Sequence, residues 1–464
     1  MIKSEELKLH NRNEFTSNLL QTYGQNPGFV LLESTLDSSD SRTIVFLEPL
    51  AKICSDNSSS YVESAEQKFE FENPWQAIQD WLSPAIEYIS EFAEDQSIPF
   101  SSGYLGYELL HSLEDVPPAL SDLYKVPDSI LYLYRTVIVI EHSSNLAKVH
   151  RLSLDQLPKP IWEISDLTKL QEFKMPELNK IEHFDLQLLE EASNFSKASY
   201  SQAVDQIKDL IKAGDVYQVN LSQQFRLPYQ KDPRLLYQAL RTVSPVGYAA
   251  YLHFNDFSVI STSPERFFKS ERTVITSSPI KGTRPRLDKP GEDLKNLTEL
   301  KSSEKDLAEL SMIVDLIRND MGKIAEMESV RVVSHARVES FAQVHHLVSD
   351  ISCQQRHDTS IVDVIKALFP CGSVTGCPKV AAMKYISEFE QTTRGVYTGS
   401  IGWFGTNNSA EWNVAIRTGI VKDNVFTFQS GGGIVYDSIA KDEYEETIAK
   451  ALGMYQAYRL LVES

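Results

Sequence analysis

The stretch WNVAIRTGIVKDNVFTFQ, residues 412–429, decides the fold class. Apolar and polar residues alternate over 412–420 and again over 425–429, and Lys422-Asp423-Asn424 between the runs is a hairpin-type turn. In the first run Trp412, Val414 and Ile416 face one way and Asn413, Ala415 and Arg417 the other. Arg417 is thereby aimed away from the apolar face, as a carboxylate clamp or into plain solvent. Working outward, strand-like runs recur at 259–262, 273–277 and 396–403, and in the first half at 28–33 and 130–141. Helical spacing of apolar residues runs through 75–92, 199–213, 303–320, 361–368, 378–389 and 443–462, with Gly214 as a stop. Strands joined by hairpins, with helices interspersed, predict an α+β fold: a large body of mainly antiparallel β-sheets with flanking helices.

Composition narrows the function. The chain has 464 residues, and 45 Lys and Arg against 64 Asp and Glu give a formal charge of −19. That sign argues against a non-specific nucleic-acid binder, whose field must be basic, and against docking on an anionic membrane. No run of ~18 apolar residues predicts a membrane span. The opening MIKSEELKLHNRNEF has no apolar segment of the kind a secretion signal carries. Cys54, Cys353, Cys371 and Cys377 show no C-x-x-C spacing, so a reducing cytoplasm is the expected location. Neither a G-x-G-x-x-G nor a Walker loop is present, and nucleotide binding by those routes is not expected. The stretch 153–190 reads as a connector, so residues 1–185 are expected to form an N-terminal companion domain and 186–464 the catalytic domain.

Several residues carry chemistry. In SSPIKGTRPR, residues 277–286, Lys281 lies between Ile and Gly with Arg284 and Arg286 close behind. An amine attacks carbon only when deprotonated, and the reference value of ~10.4 leaves little free at neutral pH. Burial or neighbouring cations would raise the reactive fraction; the alternative is a surface turn. Glu265 in SPERF is a general acid or base, or a surface ion pair. On the helix opening at Ser303, Glu309 lies about 40° from Ile313 at the edge of the apolar stripe, which calls for a partner cation or a metal, or an exit to solvent. Glu446 and Lys450 lie opposite the core stripe of the last helix, where an i,i+4 salt bridge accounts for them as well as a site does. Carboxylates from two helices make the hard-oxygen set that Mg²⁺ prefers. Gly431, Gly432 and Gly433 let backbone N–H groups approach an anion, or form a flexible bend. His345 and His346 point to opposite faces of a strand and cannot chelate one metal together; one of them is available for acid/base work.

The order SPERF, PIKGT, SxKDxAELxMIVDLIRND, VHHLVS, GSVTGCPKxxAM, RGVYTGSIGWF, AIRT, QSGGGIVYDS and DEYEET resembles the chorismate-utilising enzyme family over about residues 197–455. The first half is similar to the family's companion domain through LLES (31–34), IPF (98–100) and GYLGY (103–107). The resemblance implies a fold like that of anthranilate synthase component I. Anthranilate synthases carry Ala where this chain has Lys281, and isochorismate and salicylate synthases carry a general-base Lys where it has Gln218. Lys281 with Gln218 is the pattern of the family's branch that makes 4-amino-4-deoxychorismate from chorismate and ammonia, toward para-aminobenzoate and folate. The alternatives are anthranilate synthase component I and a non-catalytic subunit that binds chorismate or tryptophan.

The resemblance also implies the roles. Lys281 is the covalent nucleophile, and Glu265 and His346 manage protons. Glu309 and Glu446 hold Mg²⁺. Gln218, Ser373, Thr375, Tyr397, Arg417, Lys450 and the amides of Gly431, Gly432 and Gly433 hold the substrate. Ser34, Arg42 and Pro245 fall where family members build a tryptophan pocket. Cys371 and Cys377 stand in the substrate loop where Gly and Ala are more usual. None of the four cysteines sits in a G-x-C-x-G elbow, so a separate glutamine amidotransferase subunit is expected to supply the ammonia.

Overall fold

The computed structural model describes residues 1–36, 41–56, 59–94, 96–153, 157–164, 166–176, 186–287, 289–340 and 344–462. Among them every ladder between strands is antiparallel. The ladders trace two sheets. One runs Ile2–Lys8, Leu146–Leu152, Ser129–Glu141, Arg42–Asp56, Phe29–Glu33, Tyr248–His253, Phe257–Ser263, Thr418–Lys422, Val425–Ile434 and Gln218–Pro228. The other continues from the far halves of Ser129–Glu141 and Arg42–Asp56 through Pro99–Leu105, Ser400–Gly405, Ser409–Asn413, Arg266–Glu271, Val274–Ser278 and Val344–Gln354. The two long strands pass from sheet to sheet at a register shift between Pro49 and Ala51. A proline there has no N–H for the ladder, which favours a break in pairing at that point.

Strand alternation separates the cores. Val30, Ile44, Phe46, Leu252 and Val259 face a cluster shared with Phe268, Trp403 and Trp412 of the other sheet. Their neighbours Leu31, Val45, Leu47, Tyr251 and Ile260 face the opposite way, onto the helices Arg12–Tyr23, Lys197–Ala213, Pro233–Val243 and Ala440–Val462. A second helical layer, Glu304–Gly322 and Ile361–Leu368, packs Leu310, Ile313, Ile317 and Ile365 with Ile275, Leu347 and Ile351. The helices expected over 303–320, 361–368, 378–389 and 443–462 are present within a few residues, and Ser303 caps the first through the Asp306 N–H. The boundary at residue 185 falls in 177–185, outside the described residues. On either side of it strands of the first half pair with strands of the second: Phe29–Glu33 with Tyr248–His253, and Pro99–Leu105 with Ser400–Gly405.

The hairpin that opened the sequence reading is present. Lys422 pairs with Val425, and Asp423 (φ 50°) and Asn424 (φ 62°) are both left-handed, as a two-residue I′ turn requires. The run 412–420 is not one strand, however. It breaks after Asn413 and resumes at Thr418, because the first piece belongs to one sheet and the second to the other. Arg417 stands in that break at φ 50°, so strand alternation does not set its direction. The chain makes a parallel crossing between Ser263 and Arg266, through Pro264 and Glu265, and the two crossings are tied by the Val414 N–H donating to the Glu265 carbonyl at 3.0 Å. The three glycines lie inside the strand Val425–Ile434 rather than after it.

Candidate functional site

Lys281 lies on the strand Ile280–Pro285, which pairs with Val344–Gln354. The ladder slips between Lys281 and Thr283, and Gly282 fills the slip at φ 69°. A Cβ at Gly282 would sit 2.9 Å from Leu300 Cδ1 and 3.0 Å from Asp306 Cγ, so the glycine is required by both conformation and space. Lys281 Nζ donates to the Ser373 carbonyl at 3.3 Å. The charges it faces are acidic: Glu265, Glu309 and Glu446 each feel it electrostatically. Arg284, whose direction the sequence leaves open, is turned to Glu299 (3.3 Å) and Asp306 (3.1 Å).

Glu265 is buried at the sheet crossing, 4% exposed, and Oε1 has no hydrogen-bond partner among the described residues. Burial pushes its carboxyl up to about 7, against the Ser373 hydroxyl, Lys281 and the Ile280 amide, which favour the charged form. His346 is also buried and lies 2.9 Å, Nδ1 to Oγ1, from Thr283. Burial and then the Arg417 charge lower it to about 4, so it is neutral at physiological pH. Its neighbour His345 faces the other way, with Nε2 2.9 Å from Asp293. Burial lowers the Arg417 value, and no carboxylate among the described residues pairs with the Arg417 guanidinium. A largely buried cation with no protein anion is a site for an anionic ligand.

Glu309, at the edge of its helix stripe as the spacing predicts, is half-buried, and burial raises its carboxyl. From the last helix come Glu446 and Glu443. Sequence periodicity did not single out Glu443, which is buried, raised by burial, and accepts the Ser438 hydroxyl at 2.6 Å. Burial works to raise Glu446 too, but Lys450, Lys305 and Lys281 hold it below the usual carboxylate range. Lys305 Nζ lies 3.9 Å from Glu309 Oε1 and 3.8 Å from Glu443 Oε1, so one cation already sits between carboxylates of the two helices. Glu443 Oε2 and Glu446 Oε1 both approach Gly432, 3.4 and 3.6 Å from where its Cβ would be. Among the described residues no three acid, His or Cys side chains are drawn close enough to enclose a metal. The all-oxygen donor set, spaced to share a cation and partly stripped of water, nevertheless suits a hard divalent ion.

The glycine strand has a defined polarity. On its partner, Asn220 and Ser222 turn their N–H groups off the shared ladder, to the Thr375 carbonyl (2.8 Å) and Glu390 (2.7 Å). Gly433 and Gly431 stand opposite them and so also point backbone groups outward, whereas Gly432 bonds within the ladder. The Gly431 carbonyl accepts Lys450 Nζ at 3.0 Å, and Lys450 pairs with Glu446 at 2.7 Å, the expected i,i+4 bridge. Gln218 packs behind Gly433, where a Cβ would meet its Nε2 at 2.2 Å; its Oε1 is buried without a partner among the described residues.

The remaining substrate candidates divide. Ser373 is buried beside Glu265 and Cys371, with Cys371 Sγ 3.3 Å from its hydroxyl. Thr375 gives its hydroxyl to the carbonyls of Cys371 and Gly372, at 3.2 and 3.3 Å, so that group shapes the loop rather than facing outward. Tyr397 is buried against Arg394 and Asn220.

Ser34, Arg42 and Pro245 line one cavity of about 890 Å³. Arg42 pairs there with half-buried Glu411, which also holds Arg266 at 3.4 Å, and the Arg42 guanidinium lies 5.2 Å from the centre of the Trp403 ring. Pro264 and Ile280 line the same cavity, one residue before Glu265 and Lys281.

A family profile described as chorismate binding enzyme matches residues 30–456. The Bacillus subtilis protein named aminodeoxychorismate synthase component 1 is 34% identical over 438 residues, covering 94% of this chain and 92% of its own. The anthranilate synthase component 1 of Lactococcus lactis is 31% identical over 441 residues, covering 94% and 95%. The crystal structure of anthranilate synthase component I from Streptococcus pneumoniae matches with a TM-score of 0.74 at 30% identity, over 89% of this chain and 92% of that one. The expected architecture, an anthranilate synthase component I-like α+β fold, is the one observed.

Proposed function

The chain belongs to the chorismate binding enzyme family, and from that premise we propose that it converts chorismate and ammonia to 4-amino-4-deoxychorismate and water. The observation that carries this reading is Lys281, a primary amine held by the Ser373 carbonyl among acids, close to buried Glu265. Arg417, with no carboxylate of its own among the described residues, and the outward amides of Gly431 and Gly433 take the substrate's carboxylates. The net charge of −19 repels a dianion at long range, so local cations must perform the capture.

Lys281 releases its ammonium proton to solvent and, as the free amine, bonds to ring carbon C2 while the C4–oxygen bond breaks. Hydroxide is a poor leaving group, and Glu265, with its carboxyl near 7, supplies the proton that lets it depart as water. Ammonia then bonds to C4 as the Lys281–C2 bond breaks. Splitting one difficult displacement into two easier ones is the gain from a protein nucleophile. Neutral His346, next to Thr283 and Arg417, orients the reacting polar groups. Glu309 and Glu446, with Glu443 beside them, would hold Mg²⁺, whose Lewis acidity draws electron density toward the ring carboxylate.

Ammonia comes from a separate glutamine amidotransferase subunit. The naming of the relatives as component 1 supports this, as do the contexts of the four cysteines, none of which is a nucleophile elbow. The cytoplasm is the proposed location and folate biosynthesis the proposed pathway. The Arg42 cavity is proposed to take tryptophan. The decisive experiment is product identification from chorismate, Mg²⁺ and ammonium, with and without a downstream lyase. para-Aminobenzoate appearing only with the lyase is expected; anthranilate fluorescence without one overturns the reading in favour of anthranilate synthase.

A further inference from the structure

Every donor of the Arg394 side chain is engaged within the protein, and none is left for a ligand. It is 1% exposed. Nε donates to Glu390 Oε2 at 2.9 Å, and Nη2 to Glu390 Oε1 at 2.6 Å and the Asn220 carbonyl at 2.8 Å. Nη1 donates to the Val374 carbonyl at 2.9 Å and the Thr398 hydroxyl at 3.2 Å. These bonds use all the N–H groups a guanidinium has. The aromatic rings of Tyr107 and Tyr397 lie 4.8 and 5.8 Å from its central carbon.

The acceptors come from segments that each bring something to the site. Asn220 is two residues from Gln218 on the same strand, and Glu390 holds that strand again through the N–H and hydroxyl of Ser222, at 2.7 and 2.8 Å. Val374 follows Ser373, whose carbonyl takes Lys281 Nζ. Thr398 follows Tyr397. From the first half of the chain, the Glu108 carboxylate accepts the N–H groups of Arg394 and Gly395, both at 2.8 Å, and so fixes the turn that carries the arginine.

We propose that the buried Glu390–Arg394 pair is a positioning element that sets the 371–377 loop and Tyr397 against the Gln218 strand, and thereby fixes the tip of Lys281 over the substrate. It touches no reacting atom and acts through the Ser373 carbonyl. A lysine at 394 would keep the charge beside Glu390 but cannot reproduce a planar fork reaching four partners.

The inference rests on the proposed reaction only for its kinetic readout. Arg394→Lys and Thr398→Val are compared with wild type for chorismate consumption, and for hydrogen exchange of the 371–377 loop without substrate. Because a displacement of ~1 Å at a reacting group costs up to ~100-fold in rate, kcat of Arg394→Lys is expected to fall ~10- to 100-fold. Chorismate KM should stay within about threefold, since Arg417 is untouched, and Thr398→Val should fall less. Loop exchange should quicken in both. If Arg394→Lys does not fold, Thr398→Val alone decides. Wild-type kcat in the folded variants, a loss confined to KM, or unchanged loop protection overturns the proposal. A wild type that consumes no chorismate counts against the reaction, and loop exchange then decides the positioning role.

Discussion

Lys281 Nζ and the Ser373 carbonyl meet at 3.3 Å across 92 positions of sequence, joining a sheet strand to the loop that follows the helix Ile361–Leu368. The contact pins a flexible side chain at its reactive end, as a nucleophile that must meet one ring carbon requires. Replacing Lys281 with Ala should abolish the covalent adduct seen by intact-protein mass spectrometry after chorismate is added. Chorismate binding by calorimetry should change little, because Arg417 remains. An adduct that survives in Lys281→Ala would place the nucleophile elsewhere.

Arg417 is a largely buried charge with no anion beside it among the described residues, and two opposite consequences follow from its removal. Hydrogen bonds to charged groups contribute ~1.5–3 kcal/mol, so Arg417→Met should raise the chorismate KM ~10- to 100-fold. The free protein, relieved of an uncompensated charge, should melt at an equal or higher temperature. A variant that melts well below wild type would show that Arg417 has a structural partner instead.

Glu443 stands beside Glu446 at Gly432 and shares the Lys305 charge with Glu309. Glu309→Gln and Glu443→Gln should each weaken Mg²⁺ binding in a calorimetric titration by about tenfold or more. Chelation of the metal should stop chorismate consumption by wild type. Undiminished Mg²⁺ affinity in Glu309→Gln removes that residue from the metal site.

The Glu265 carboxyl is raised by burial from 4.5 to about 7, so the folded protein holds its proton more tightly than the unfolded chain. The resulting stability is complete below about 4.5 and is lost as pH rises to about 7. His346, lowered by burial from 6.5 to about 4, acts oppositely: its contribution is lost as pH falls through that window. Denaturant melts of Glu265→Gln minus wild type isolate the first effect, and their difference should change between pH 4.5 and 7. In single turnover without ammonia, adduct formation should slow above about pH 7, where Glu265 has lost the proton it gives to the leaving oxygen. A rate that rises through pH 7 would make Glu265 a base.

The cavity at Arg42 offers a test of the tryptophan proposal. L-Tryptophan should raise the melting temperature of wild type and not that of Ser34→Leu, whose side chain would enter the cavity. No shift in wild type removes tryptophan as its occupant.

Much of the site was legible because its local physics is local. The stripe of Leu310, Ile313, Val314 and Ile317 put Glu309 at the edge of a helix without any knowledge of the rest of the chain. Asp423 and Asn424 marked the hairpin because few residues tolerate left-handed backbone. What spacing left open was decided by partners far along the chain. Whether Arg284 faces Lys281 is not legible locally, and Glu299 and Asp306 of the neighbouring helices take it. Glu443 lies on the buried face of its helix, where a carboxylate is not expected until Ser438 and Lys305 are seen to satisfy it.

The sequence by itself determined the antiparallel α+β class, most helix limits, the motifs that mark the family and the residue types in the site. Tertiary structure decided which of those groups meet. It broke the run 412–420 at a passage between two sheets, left Arg417 with no anion among the described residues, turned the Thr375 hydroxyl into its own loop, and drew Glu443 to the acids. Periodicity reports which face of an element a residue occupies. Whether a charge on that face is already neutralised depends on elements that sequence spacing does not bring together.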